Sequence, residues 1–207
     1  MKHTIITVII FALSFIGIAV GLYFFTDIDE KILIAILISY SLLFIIGLIL
    51  FITVYCARLG VLFRQEKYEQ VIKKSEWLLK SFVKGNAPAS DTVRLMAASA
   101  YFALHDDESF LAYINQVNSQ SSLFMKSYLL CIYHFVKEDR DAFNNEHTNV
   151  FLPLAACGKE KVTQPYKENL QVMSIYLNEG GNGETKEKLK ELKLARVKEF
   201  IESDSQA

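Results

Sequence analysis

The sequence predicts an all-α protein: an N-terminal transmembrane helical hairpin followed by a cytoplasmic α-helical domain. Three observations carry this. Two long uncharged runs open the chain, apolar residues recur at spacings of three and four through the rest, and strand-like alternation is almost absent. Hydrophobic residues make up 52% of the 207, and the excess over globular composition sits at the front. From Ile5 to Ala57 the only Asp, Glu, Lys or Arg residues are Asp27, Asp29, Glu30 and Lys31, whereas charges are spread throughout from Arg58 onward. The expected division is a transmembrane hairpin over 1–57, a helical domain over 58–178, and a Gly-rich flexible link with an amphipathic helix over 179–207.

The first span is placed at about 5–25 and the second at about 32–57. Each uncharged run matches a hydrocarbon core of about 30 Å crossed at about 1.5 Å per residue. The first run is preceded by Lys2 alone, exceeds the apolar core of a signal peptide and has no clear cleavage site, since Gly21 runs straight into Leu22-Tyr23-Phe24-Phe25. Six residues, Thr26 to Lys31, join the spans, so they are expected as antiparallel helices in contact. Gly17 and Gly21 form a GxxxG pattern, and Ala35 and Ser39 form a small-xxx-small pair. Counted outward from the turn, Gly21 matches Ala35 in depth and Gly17 matches Ser39, which predicts a close seam between these four residues. The alternative use of the same GxxxG face is a homodimer.

Flanking charge sets the orientation. The turn carries Asp27, Asp29 and Glu30 against Lys31, while Arg58, Arg64, Lys67, Lys73 and Lys74 follow the second span. The positive-inside rule then puts both termini in the cytoplasm; in a bacterium the membrane is the cell membrane. Neither span holds an ionisable residue, so the hairpin reads as an anchor in the lipid bilayer and not as an ion or proton path. Ser14, Ser39, Ser41 and Thr53 are expected to bond back to their own helices.

Beyond the spans, the apolar spacing predicts a helix over roughly Arg64 to Lys84, ended by Gly85-Asn86-Ala87-Pro88. Ser90 or Asp91 is expected to cap the next helix, which carries Val93, Leu95, Met96, Ala97, Ala100, Tyr101 and Leu104. His105-Asp106-Asp107-Glu108 reads as a turn, with a third helix through Phe110, Ile114 and Val117. A fourth runs from about Ser122 to Val136, and Lys137-Glu138-Asp139-Arg140 turns into a fifth. The stretch from Pro153 to Pro165 reads as irregular, Tyr166 to Asn178 as helix, and Glu184 to Ser203 as one charged closing helix.

Three fragments repeat. Lys67-Tyr68-Glu69-Gln70-Val71-Ile72, Asp106-Asp107-Glu108-Ser109-Phe110-Leu111 and Glu138-Asp139-Arg140-Asp141-Ala142-Phe143 each resemble the start of the second helix of a tetratricopeptide repeat. Their recurrence, about every 32 to 39 residues, is near the family period of 34. Ala98, Tyr101 and Tyr133 agree with the family's preceding helix. His105 and Lys137 stand where its turn glycine belongs, and Val71 and Phe110 where it has a small residue. The resemblance spans residues 60 to 150 and implies a TPR-like array with a concave surface for a peptide or helix. The closing helix is then a cap, with a membrane-surface helix as the alternative.

No chemistry emerges beside this. The net charge of −1 and interleaved signs give no electrostatic case for nucleic acid. Cys56, Cys131 and Cys157 form no disulfide framework. Cys131, His134, His147 and Cys157 can be drawn as a zinc site, but the apolar surroundings of Cys131 favour a buried thiol. Gly180 to Lys186 lacks the order of a phosphate loop and follows a helix instead of a strand. No catalytic, cofactor or metal residue is assigned and the chain is not read as an enzyme. The expected function is a membrane-anchored scaffold or adaptor that binds a protein partner; the alternative is an accessory subunit of a larger membrane enzyme, secretion or transport complex.

Overall fold

The computed structural model describes Gly17, Gly21 and residues 30–81, 83, 87–192 and 194–204. Among these residues every regular element is helical. In chain order they are α1 (Glu30–Arg64), α2 (Tyr68–Ser81), α3 (Ala87–Ala103), α4 (Asp107–Ile114), α5 (Leu123–Val136), α6 (Arg140–Glu146), a π-helical segment (His147–Phe151), α7 (Leu152–Ala156), α8 (Glu160–Glu179), α9 (Gly183–Glu191) and α10 (Ala195–Asp204). The chain divides into two compact units, Met1–Ala57 and Arg58–Ala207.

In the first unit, α1 is the one helix among the described residues long and apolar enough to cross a membrane. Between Lys31 and Arg58 it carries 26 uncharged residues, a length of about 39 Å at 1.5 Å per residue, more than a bilayer core requires. None of its most apolar 18-residue window is buried, so it is not a core helix of the described structure. The described residues thus give one long apolar helix where the sequence predicts a pair. The first predicted span lies outside them apart from Gly17 and Gly21. The hydroxyls of Ser39, Ser41 and Thr53 each donate at 2.8 Å to the carbonyl four residues back, as expected. Helix α1 also runs on past the expected end of the span at Ala57 to Arg64, and the next helix begins at Tyr68, not at roughly Arg64. Composition changes after Ala57, but Arg58, Leu59 and Gly60 offer nothing that stops a helix.

Three of the helix-to-helix turns of the second unit share one geometry. The backbone N–H of Lys67, Asp106 and Asp139 donates to the carbonyl five residues back, on Leu62, Tyr101 and His134, at 3.0 Å in each case. The residue just before the donor holds a left-handed backbone: Glu66 at φ 58°, His105 at 61° and Glu138 at 54°. This is the Schellman closure of a helix C-terminus, here without its usual glycine. The next helix starts at once, and the fourth residue after the donor (Val71, Phe110, Phe143) is wholly buried. The turns are therefore equivalent residue by residue, 39 and then 33 positions apart (Lys67, Asp106, Asp139). This shifts the third sequence anchor by one residue, and the special backbone position is Glu138, not Lys137. Asp106 and Asp139 then cap α4 and α6, accepting at 3.0 Å from the N–H of Ser109 and Ala142. Each such cap is worth about 1 kcal/mol.

The core lies beneath α3, α5, α6, α8 and α10 and is built on Phe110, Phe135, Phe143, Phe151, Ile132 and Met173, all at most 1% exposed. Phe110 stacks on Tyr133 at 5.2 Å and meets Phe102 at 5.3 Å. The stretch expected to be irregular is largely helical. Pro153 stands in the first turn of α7, where no N–H is needed. Pro165 stands in the second turn of α8 and gives up one backbone bond there. The closing helix is two helices. The chain leaves α9 at Leu192 in extended conformation, and α10 packs Val197 and Ile201 into the core.

Candidate functional site

The described surface of the second unit has one notable apolar face. Thr92, Leu95, Met96, Ser99 and Phe102 follow one another on α3 at spacings of three and four. Met125, Tyr128, Leu129 and Ile132 do the same on α5. Both rows line cavities, and Gly60 and Phe63 of the preceding hairpin close the near side. Two adjoining hollows result. One, of about 300 Å³, lies over Leu95, Met96 and Leu129. The other, of about 180 Å³, reaches on to Phe102, Ile132 and the start of α10. Ser99, Met125, Leu129 and Phe63 border both, so the hollows form one groove.

The groove is apolar for a definite reason. Its serine and threonine hydroxyls are spent inside α3, where Thr92 donates to the Pro88 carbonyl at 3.0 Å and Ser99 to that of Leu95 at 2.8 Å, and the Tyr128 hydroxyl accepts from Asn169 at 3.1 Å. Two methionines on the walls can re-pack around ligands of different shape. A surface of this kind binds apolar side chains by area.

The far end of the groove is charged. Arg196, 7% exposed, reaches from α10 to pair with Asp107 at the start of α4, and it donates to the Phe102 carbonyl at 3.3 Å. Its guanidinium lies 4.5 Å from the centre of the Phe102 ring. Lys137 pairs with the same carboxylate from the α5–α6 turn. Burial works against charge on Asp107, but the two cations outweigh it and hold the carboxyl below its usual range. His105 Nε2 meets Glu199 of α10 at 2.9 Å, so the second turn is tied to α10 twice.

Other polar groups serve the frame. Asp91 was expected as a helix cap, but α3 starts four residues earlier and Asp91 is buried within it. It accepts from the N–H of Asn118 at 2.9 Å and of Ser119 at 2.6 Å, and pairs with Arg94 at 2.7 Å, bracing the α4–α5 loop. Despite its burial these donors hold its carboxyl low. Ser90 donates to the Val83 carbonyl. Tyr101 bonds Glu76 at 3.1 Å, joining α3 to α2, and burial and that carboxylate push its phenol up.

The residues that could be drawn as a zinc site are not brought together. Cys131 is buried in the core with its thiol pushed up by burial, Cys157 is exposed, and His147 stacks 5.9 Å from Phe151. No cluster of three potential metal ligands occurs among the described residues. Asn182 caps α9 by accepting from Thr185 N–H at 2.8 Å, so Gly180 to Lys186 is a helix-to-helix connector. Of the four predicted packing residues, Ala35 and Ser39 lie on α1 and border a shallow groove with Ile32 and Leu43. A Cβ built on Gly17 or Gly21 meets no described atom within 4 Å, so the described contacts do not join the two pairs. Comparison with known proteins returns no match to any family model, curated protein or solved structure.

Proposed function

We propose that the chain is a membrane-anchored scaffold or adaptor that binds a protein partner through its helical domain. The observation that carries this reading is the open apolar groove on α3 and α5, whose polar groups are already satisfied. Such a surface gains most by covering apolar side chains of another protein. The three equivalent turns support a TPR-like array, in which stacked hairpins present a face to a peptide or helix. The exposed apolar surface of α1 supports an anchor in the bilayer. The uncharged run from Ile5 to Phe25 supports a second span, and the groove past Ala35 and Ser39 suits a seam with Gly21 and Gly17. The flanking charges support two cytoplasmic ends.

The test is photo-crosslinking in intact membranes from Leu95 and Met125 in the groove, with exposed Lys73 on α2 as reference. One partner trapped at both groove positions and not at Lys73 is the expected result. Equal trapping at all three, or none, sinks the scaffold reading. The alternative, an accessory subunit held by its spans, is favoured by the GxxxG pattern. Gly17→Leu with Gly21→Leu separates the two: loss of the complex with groove crosslinks abolished points to the subunit, and retained crosslinks point to the scaffold.

A further inference from the structure

Helix α10 lies across the C-terminal parts of α3 and α5, at the end of the groove. Its contacts follow a simple order along the helix. Arg196 pairs with Asp107 and caps the Phe102 carbonyl, where the end of α3 favours a cation. Val197 and Ile201 are fully buried. Phe200 sets its ring edge-on to Phe135 at 5.3 Å and to Tyr176 at 6.1 Å. Leu192, directly after α9, is extended, and α10 starts at Ala195. Beyond the start of α10 the same groove continues, apolar and open, over Leu129, Met125 and Leu95.

From this we infer that the face of α3 and α5 is a helix-binding surface, that α10 is its occupant in cis, and that the partner is an amphipathic helix with the same order of residues. That order is a basic residue, an aliphatic one, two of any kind, then an aromatic and an aliphatic, as in Arg196-Val197-Lys198-Glu199-Phe200-Ile201. Asp107 selects the basic residue, because its carboxylate, 25% exposed and shared with Lys137, forms a charge-assisted pair only with a cation on the arriving helix. The open part of the groove gives an arriving helix a first foothold beside α10, and α10 then yields. The inference rests on the scaffold reading and names the partner's chemistry.

The probe is a fluorescein-labelled peptide covering residues 192–207, added to the full chain in detergent micelles. In the wild type α10 holds the face, so uptake is weak. With Val197→Asp and Ile201→Asp in the chain, α10 loses its hold, and the peptide binds at least tenfold tighter than to wild type. Arg196→Ala in the peptide then lowers its affinity at least tenfold. A variant chain that keeps its helix content yet binds no peptide, or binds both peptides equally, overturns the inference. If the variant does not fold, hydrogen exchange on the wild type decides. Amides of 195–204 are expected to exchange at least tenfold faster than those buried in α5, through an opening of α10 alone. Equal protection means α10 leaves only on global unfolding, and the inference fails. A partner trapped in membranes without peptide exchange removes this inference and leaves the scaffold reading. Peptide exchange without any trapped partner removes the scaffold reading and the partner helix with it, and leaves only α10 as a displaceable occupant in cis.

Discussion

Replacing Glu66 and Glu138 by glycine is expected to make the protein more stable. Both residues hold a left-handed backbone, at φ 58° and 54°, and both are exposed. A side chain in that conformation costs roughly 1–2 kcal/mol through the clash of its Cβ with the following carbonyl. Glycine removes the clash, but it makes the unfolded chain more flexible, which costs roughly 0.5–1 kcal/mol. The net gain is about 0.5–1 kcal/mol at each site. The sites lie in different hairpins and share no partner, so the double variant gains about 1–2 kcal/mol. For a chain of this size that raises Tm by roughly 2–8 °C. His105 shares the backbone geometry but also meets Glu199, so its substitution yields less. Thermal melting followed by circular dichroism of the full chain in micelles measures the effect. Lys73→Gly, in the middle of α2 and exposed, is the control and is expected to destabilise by about 1 kcal/mol. If the double glycine variant melts at or below the wild-type temperature while Lys73→Gly melts lower, the left-handed turns are not where the structure has them.

Phe110→Ala removes a fully buried ring between Phe102 and Tyr133, and chemical denaturation should show a loss of about 3–5 kcal/mol. Asp91→Ala leaves the N–H groups of Asn118 and Ser119 and the Arg94 guanidinium without their acceptor, a loss of roughly 3 kcal/mol. Limited proteolysis should then cut first in the α4–α5 loop. Asp107 has its carboxyl pKa depressed by Arg196 and Lys137, after the opposing effect of burial. Its contribution is therefore complete above the ordinary carboxylate value of about 4 and is lost as pH falls through the lower folded value. Hydrogen exchange on α10, corrected for the intrinsic slowing of amide exchange in acid, should accelerate below about pH 4 in the wild type. In Asp107→Asn it should already be fast at neutral pH and change less on acidification. An unchanged α10 in that variant contradicts the paired arrangement.

The helical class was legible because the apolar spacing of α4 and α5 is regular and because Asp106 and Asp139 mark the starts of the helices that follow them. The end of α1 was not, since a sequence records the change in composition at Arg58 but helices continue happily through arginine. The left-handed residues carried no glycine to mark them: exposed Glu and His tolerate that backbone at modest cost. Prolines misled in the other direction, because Pro153 falls where a helix needs no donor. The groove could not be read in advance. It is assembled from three separate stretches, and each row on its own looks like the buried side of an amphipathic helix. In sequence Asp91 and Asp107 look like capping or loop acids for the same reason, as Asn118, Ser119 and Arg196 are brought to them only by the fold.

The three turns have a consequence for how such a chain can change. Because Lys67, Asp106 and Asp139 occupy the same joint, the backbone arrives and departs alike at each of them. The longer spacing is taken up by the helices, α2 being six residues longer than α4 and α3 three longer than α5, leaving the joints themselves alone. A genetic crossover at Asp106 and Asp139 would therefore delete or duplicate one hairpin and still rejoin matching ends. Gain and loss of whole helix pairs, with α1 untouched, is the simplest route by which this architecture lengthens or shortens.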